Sequence, residues 1–133
     1  MAVNNVLKDK DENILNPKIP RYENLKSFST SEQCVGQWSD GKTLYKKILE
    51  VGAVSTTEVQ VNLNVPDVDK VVAFEGGGYM ASGGHFLPWN FENSGGFTSC
   101  YYQANNKRFL LQVSTTSYNL SSGHIIVFYT KTN

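Results

Sequence analysis

The sequence predicts an all-β protein, an antiparallel β-sandwich of about eight strands preceded by an extended N-terminal arm, on three observations. Short runs rich in β-branched and aromatic residues recur at roughly ten- to fifteen-residue intervals, separated by clusters of Gly, Asn, Asp, Ser and Pro. One run alternates cleanly: Val59, Val61, Leu63 and Val65 fall on one face, and Glu58, Gln60, Asn62 and Asn64 on the other. Charged residues make up only 18% of the chain while uncharged polar residues are plentiful, which suits sheets with polar outer faces and short turns.

Residues 1–28 read as the arm. Charges alternate from Lys8 to Glu12, apolar residues are sparse, and Pro17 and Pro20 prevent a continuous helix. Alone, such a segment buries too little apolar surface to offset the entropy of ordering. Residues 29–133 form the head domain. Its first two strands, 33–38 and 43–51, flank Ser39-Asp40-Gly41-Lys42, where Asp-Gly supplies the positive φ of a tight hairpin. Residues 44–49 also pass as a helical turn on pattern, but they follow the turn directly and are read as strand. Strand 57–65 leads through a Pro66-Asp67 turn to strand 70–75. A flexible Gly-rich loop, 76–84, separates it from strand 85–91. Strands 97–103 and 108–114 flank an Asn105-Asn106 turn, and strand 123–131 ends the series. The run Ile125 to Tyr129 is apolar on both faces, as in a central strand covered on both sides or one buried by another subunit.

Length and charge limit the functional classes. At 133 residues the chain fits one domain with a real core. Lys plus Arg and Asp plus Glu number 12 each, so no charge excess argues for nucleic acid or an anionic membrane. The opening residues lack the apolar stretch of a signal peptide, no segment approaches the length of a membrane helix, and synthesis in the cytoplasm is expected. Cys34 and Cys100, without CxxC spacing, are expected to be buried thiols and not a disulfide.

The motifs that carry chemistry fail on context. Gly76-Gly77-Gly78-Tyr79-Met80-Ala81 matches the dinucleotide fingerprint, yet the residues that follow cannot open a phosphate-binding helix and no carboxylate stands about twenty residues on. Ser82 has Met80 where a nucleophile elbow requires glycine. His85 and His124 are the only histidines and lack metal-ligand spacing. Asp67 and Asp69 can face one way, but they sit in a turn where Asp is common for backbone bonding. No catalytic set, cofactor or metal is therefore expected.

Aromatic residues point instead to binding. Tyr79, Phe86, Trp89, Phe91, Phe97, Tyr101 and Tyr102 cluster around Gly76–84 and Gly95-Gly96, offering flat faces for sugars or peptide side chains, although about half must serve the core. Tyr101 and Tyr102 fall on opposite faces, so at most one is interior. Tyr79, His85, Trp89, Phe91 and Tyr102 are the candidate glycan-contacting residues.

Ser29, Thr30, Glu32, Gly36, Trp38, Asp40, Gly41, Lys42, Tyr45 and Lys47 spell ST-x-E-x-x-x-G-x-W-x-D-G-K-x-x-Y-x-K. The stretch resembles a β module near the C-terminus of tail, baseplate and fibre-like proteins of phages and prophages of Gram-positive bacteria. Ile125 to Thr132, with its Tyr129-Thr130-Lys131-Thr132 finish, looks like that family's last strand; Leu87-Pro88 matches a midway step, and residues 7–22 look like a connector. Residues 54–107 match only loosely, and Thr43 stands where the family often has Pro. In this reading Trp38 anchors the core while Asp40 and Gly41 shape the hairpin. The resemblance implies a non-catalytic virion tail protein assembled in the host cytoplasm, a homo-oligomer and by fibre analogy a trimer. Residues 1–28 would dock to tail or baseplate proteins, and the β head would contact a host cell-wall glycan or another virion protein. A stand-alone carbohydrate-binding module is the alternative, and a cell-wall glycan hydrolase ranks last.

Overall fold

The computed structural model describes residues 27–132; of the expected arm, only Ser27 and Phe28 lie inside that range, and residues 1–26 lie outside the described residues. The described residues form nine strands: β1 (Gln33–Gln37), β2 (Thr43–Val51), β3 (Val59–Asn62), β4 (Val68–Tyr79), β5 (His85–Phe86), β6 (Glu92–Asn93), β7 (Gly96–Gln103), β8 (Arg108–Val113) and β9 (Ser122–Lys131). They pair antiparallel in two sheets, ordered β1-β2-β9-β4-β5 and β3-β8-β7-β6, which stack as a sandwich.

Period-two patterning explains the core. Ile125, Val127 and Tyr129 from β9 and Leu49 and Val51 from β2 meet Phe109, Leu111 and Val113 from β8 and Cys100 from β7. Phe74 of β4 meets Phe109 edge-on, with ring centroids 5.1 Å apart, bridging the sheets. The alternation in β3 holds through Val65: Leu63 and Val65 are buried, Val59 and Val61 half-buried, and the four intervening polar residues exposed. The paired strand is shorter than expected because Asn64 takes a left-handed φ of 59°.

The first hairpin is a three-residue loop closed by a glycine bulge. Trp38 N–H donates to the Lys42 carbonyl (2.8 Å), Gly41 N–H to the Trp38 carbonyl (2.9 Å), and Lys42 N–H to Asp40 Oδ1 (3.0 Å), while Gly41 has φ 84°. Residues 44–49 are strand throughout. Trp38 departs from expectation: it is 36% exposed at the hairpin tip and does not anchor the core.

Two further expectations change. Gly76, Gly77 and Gly78 belong to β4 and not to a loop. A Cβ on Gly77 would lie 2.1 Å from both the Phe86 carbonyl oxygen and Leu87 Cδ2, and one on Gly78 would lie 2.1 Å from Leu120 Cδ1. The absent side chains let β5 and Leu120 close directly onto the strand. The expected strand 85–91 breaks into β5 and, beyond it, β6. Pro88, joined to Leu87 by a cis peptide, has no N–H for a ladder, and Trp89 turns inward: its backbone N–H reaches the Gly76 carbonyl and its indole N–H the His124 carbonyl.

The residues that carried the resemblance meet at one end of the first sheet. Glu32 accepts from the Tyr129 hydroxyl (2.6 Å) and from Lys131 Nζ (2.5 Å). Tyr45 stacks on Tyr129 with centroids 5.8 Å apart, and Lys131 Nζ lies over the Tyr45 ring. Burial pushes the Tyr129 phenol pKa up, and the Glu32 carboxylate pushes it further. Lys42 Nζ pairs with Asp69 Oδ2 at 2.7 Å, and the Thr130 hydroxyl donates to the same oxygen; the Lys42 hydrogen bond holds the Asp69 carboxyl below the usual carboxylate range. Lys47 Nζ reaches the Leu63 carbonyl and ties the first sheet to the segment after β3. Lys46, although charged, is buried: Nζ donates to the Ser27 carbonyl (2.6 Å) and sits 4.1 Å from the Phe28 ring centroid. Burial lowers its pKa.

Candidate functional site

On the first sheet, residues of β9 with the parity of Ile125, Val127 and Tyr129 face the core, so His124 faces outward. Register sets Gly77 of β4 opposite His124, Tyr79 opposite Ser122, and His85 of β5 opposite Tyr79. Tyr79, His85 and His124 therefore share one corner of the outer face. Tyr79 Oη lies 2.6 Å from His124 Nδ1, and the two rings stack with centroids 5.6 Å apart. In the neutral imidazole whose Nδ1 accepts this bond, the phenol donates and the ring proton sits on Nε2. His85 stands edge-on to Tyr79 at 4.8 Å. Leu87, 54% exposed, covers the position that a side chain on Gly77 would occupy.

This corner combines an exposed imidazole, two half-buried rings and an aliphatic side chain. Ring faces and the Leu87 methyl groups suit the C–H faces of a pyranose, and a phenol and imidazole nitrogens suit its hydroxyl groups. The bond between Tyr79 and His124 holds the central ring in one orientation.

The five candidate contact residues do not form one site. Tyr79 and His85 meet. Trp89 is 4% exposed and belongs to the core, packed over Gly78 and Gly123, so its ring face is not offered to a ligand. Phe91 is half-buried, 5.4 Å from the Phe86 ring. Tyr102 packs on Phe109 at 5.0 Å, far along β7; it lines a shallow cleft of about 440 Å³ with residues 71–74, and burial raises its pKa. Tyr101, on the opposite face of β7, is 52% exposed, as alternation requires. Trp38, Asp40 and Gly41 lie at the hairpin tip, not at the corner. His124 and Leu87 were not among the candidates; the inward parity of Ile125, Val127 and Tyr129 was the signal that turned His124 outward.

A second cleft, about 520 Å³, runs along the open edge between β2 and β3 and is lined by Thr30, Lys47, Glu50, Gln60, Asn62 and Asn64 among others. Cys100 is buried and Cys34 half-buried, and no disulfide joins them. Among the described residues no three His, Cys, Asp or Glu side chains gather as a metal site, and no helix is long and apolar enough to cross a membrane. Asp69 is engaged by Lys42 and Thr130. The chain matches no protein-family model, no curated protein and no solved structure.

Proposed function

We propose that the chain is a non-catalytic, tail-associated component of a phage or prophage particle. Residues 1–28 serve as its attachment segment, and the β head contacts a hydroxyl-rich host-surface glycan through Tyr79, His85 and His124. One observation carries the tail reading: Glu32, from the first stretch of resemblance, holds Tyr129 and Lys131, from the last. Two stretches far apart in sequence are thus parts of one constellation, which supports reading them together as one module. The glycan reading is supported by the ring-lined corner, where a fixed phenol–imidazole pair stands beside exposed His85 and Leu87.

The test mixes labelled protein with candidate Gram-positive host cells and, separately, with tail particles, and measures what sediments. Tyr79→Ala should lower cell binding about five- to 150-fold and leave tail attachment intact, taking the about 1–3 kcal/mol that base stacking on one aromatic is worth as the scale. Deleting residues 1–26, which keeps the Ser27 carbonyl and the Phe28 ring against Lys46, should do the reverse. Sedimentation with neither partner defeats the reading. Binding to cells with no affinity for tails would favour a stand-alone carbohydrate-binding module, which the same corner would serve.

A further inference from the structure

A formal net charge of zero hides a segregated distribution of charge. The Tyr79 corner is built from residues within 71–106 and 109–130, and neither range contains a Lys or an Arg. Lys70 pairs with Thr130, six residues along β9 from His124, so about 20 Å of strand separates the two. Exposed charges at that distance are largely screened at physiological salt. Lys107 reaches the Pro66 carbonyl, before the start of β4, whereas Tyr79 ends that strand. Lys46 and Lys47 turn their ammonium groups to the Ser27 and Leu63 carbonyls. Carboxylates, in contrast, flank the corner. Across β2, β9 and β4, register sets Glu50, His124 and Gly77 in one row, and Ile48, Ile126 and Glu75 in the next row of the outer face. Glu50 and Glu75 are both exposed. Directly opposed side chains of a sheet have Cβ atoms about 4.5–5.5 Å apart, and diagonal ones stay within reach of long side chains. Ser122, exposed and opposite Tyr79, adds an uncharged hydroxyl.

The hydrogen bond inside the corner fixes which polar groups a ligand meets. The Tyr79 phenol commits its one hydrogen to His124 Nδ1 at 2.6 Å, so outward it presents only oxygen lone pairs, while neutral His124 presents an Nε2–H donor. An acceptor beside a donor suits adjacent sugar hydroxyls, because each hydroxyl can donate to the one and accept from the other. A phosphodiester or a carboxylate has no hydrogen for the phenol oxygen, and it would stand beside two carboxylates of its own sign.

We propose, resting on the glycan reading above, that the corner selects an uncharged glycan with adjacent free hydroxyl groups and rejects anionic wall polymers of the phosphodiester and uronate classes. Tyr79 is the acceptor, His124 the donor, and Glu50 and Glu75 give the site the sign that excludes anions.

The test applies the labelled full chain, at about pH 8 where imidazole is ordinarily neutral, to an array of neutral hexose oligosaccharides printed beside their uronate, sulfate and phosphate counterparts. A purified glycerol-phosphate polymer is a further probe. Neutral members should bind about tenfold or more tightly than their anionic counterparts, and should change less than about twofold between about 0.05 and 0.5 M NaCl. Tyr79→Phe, which keeps the ring and removes the acceptor, should weaken neutral binding about two- to tenfold. Glu50→Lys combined with Glu75→Lys, both at exposed positions, should lower the preference for neutral over anionic members about tenfold or more at low salt, with circular dichroism still that of a folded β protein. Salt-sensitive binding of anionic members by the wild type, lost in Tyr79→Ala, would overturn this proposal and keep the glycan reading. Unchanged affinity in Tyr79→Phe, or a preference indifferent to both charge reversals, would also overturn it. Binding to no member of the array, or binding that Tyr79→Ala leaves intact, would remove the glycan reading and this proposal together.

Discussion

Replacing Glu32 with alanine strikes the contact that joins the start of the head to its last strand. The Tyr129 ring is fully buried, and its hydroxyl donates to Glu32 Oε2. Removing a charged acceptor from a buried donor costs about 1.5–3 kcal/mol. The Lys131 pair, with side chains 22% and 30% exposed, adds about 0.2–1 kcal/mol after solvent screening. Glu32→Ala should therefore destabilise the domain by about 2–4 kcal/mol and lower its melting temperature by roughly 8–15 °C. Tyr129→Phe alone should cost about 1–2 kcal/mol, but in the Glu32→Ala background it should be neutral or stabilising, because it removes an orphaned hydroxyl. Urea denaturation of the two single variants and the double variant closes the cycle. Additivity within about 0.5 kcal/mol would refute the coupling, as would a loss below about 0.5 kcal/mol for Glu32→Ala, which would mean that water replaces the carboxylate at no cost.

Gly77→Ala places its Cβ 2.1 Å from the Phe86 carbonyl oxygen, a backbone atom that cannot rotate away. It should cost about 1–3 kcal/mol and speed hydrogen exchange in β5, whereas Gly52→Ala, with nothing within 4 Å, should stay within about 0.5 kcal/mol of wild type. Burial raises the Cys100 thiol from 9.0 to about 12. A folded-state pKa above the unfolded value gives stability that is complete below pH 9 and lost as pH rises from there through about 12, at up to about 1.4 kcal/mol per pH unit. Cys100→Ala should remove the part of the alkaline loss that begins near pH 9 and leave the Tyr129 part, which begins near 10. An unchanged alkaline profile in that variant would count against burial of the thiol.

What the sequence reveals here divides along a physical line. Strand parity is local, so the alternation from Glu58 to Val65 and the opposed Tyr101 and Tyr102 can be read from the order of residues alone. The Asp40-Gly41 turn is equally local, because one glycine at positive φ closes it. The errors lie where distant residues decide. Gly76 to Gly78 resemble a loop because they carry no side chain to display alternation, yet they are strand because Phe86, Leu87, Leu120 and His124 close on them. Trp89 is core because Pro88 turns the chain and His124 takes its indole N–H. Trp38 has a core residue's chemistry but stands at a hairpin tip, and nothing in the structure explains why tryptophan occupies that place. The proposed binding corner is half legible: Tyr79 and His85 lie near each other along the chain, whereas His124 joins them only through the register of β4 with β9.

The position of β9 between β2 and β4 bears on synthesis as well as on stability. It is the last of the nine strands to leave the ribosome, and until it arrives β2 and β4 have no partner on their facing edges. During that interval two unpaired edges of nine and twelve residues are open to other chains. The strand that completes the sheet also removes both edges at once, so maturation of this domain depends on its final ten-residue strand. A truncation just before Ser122 would leave a polypeptide whose natural course is aggregation.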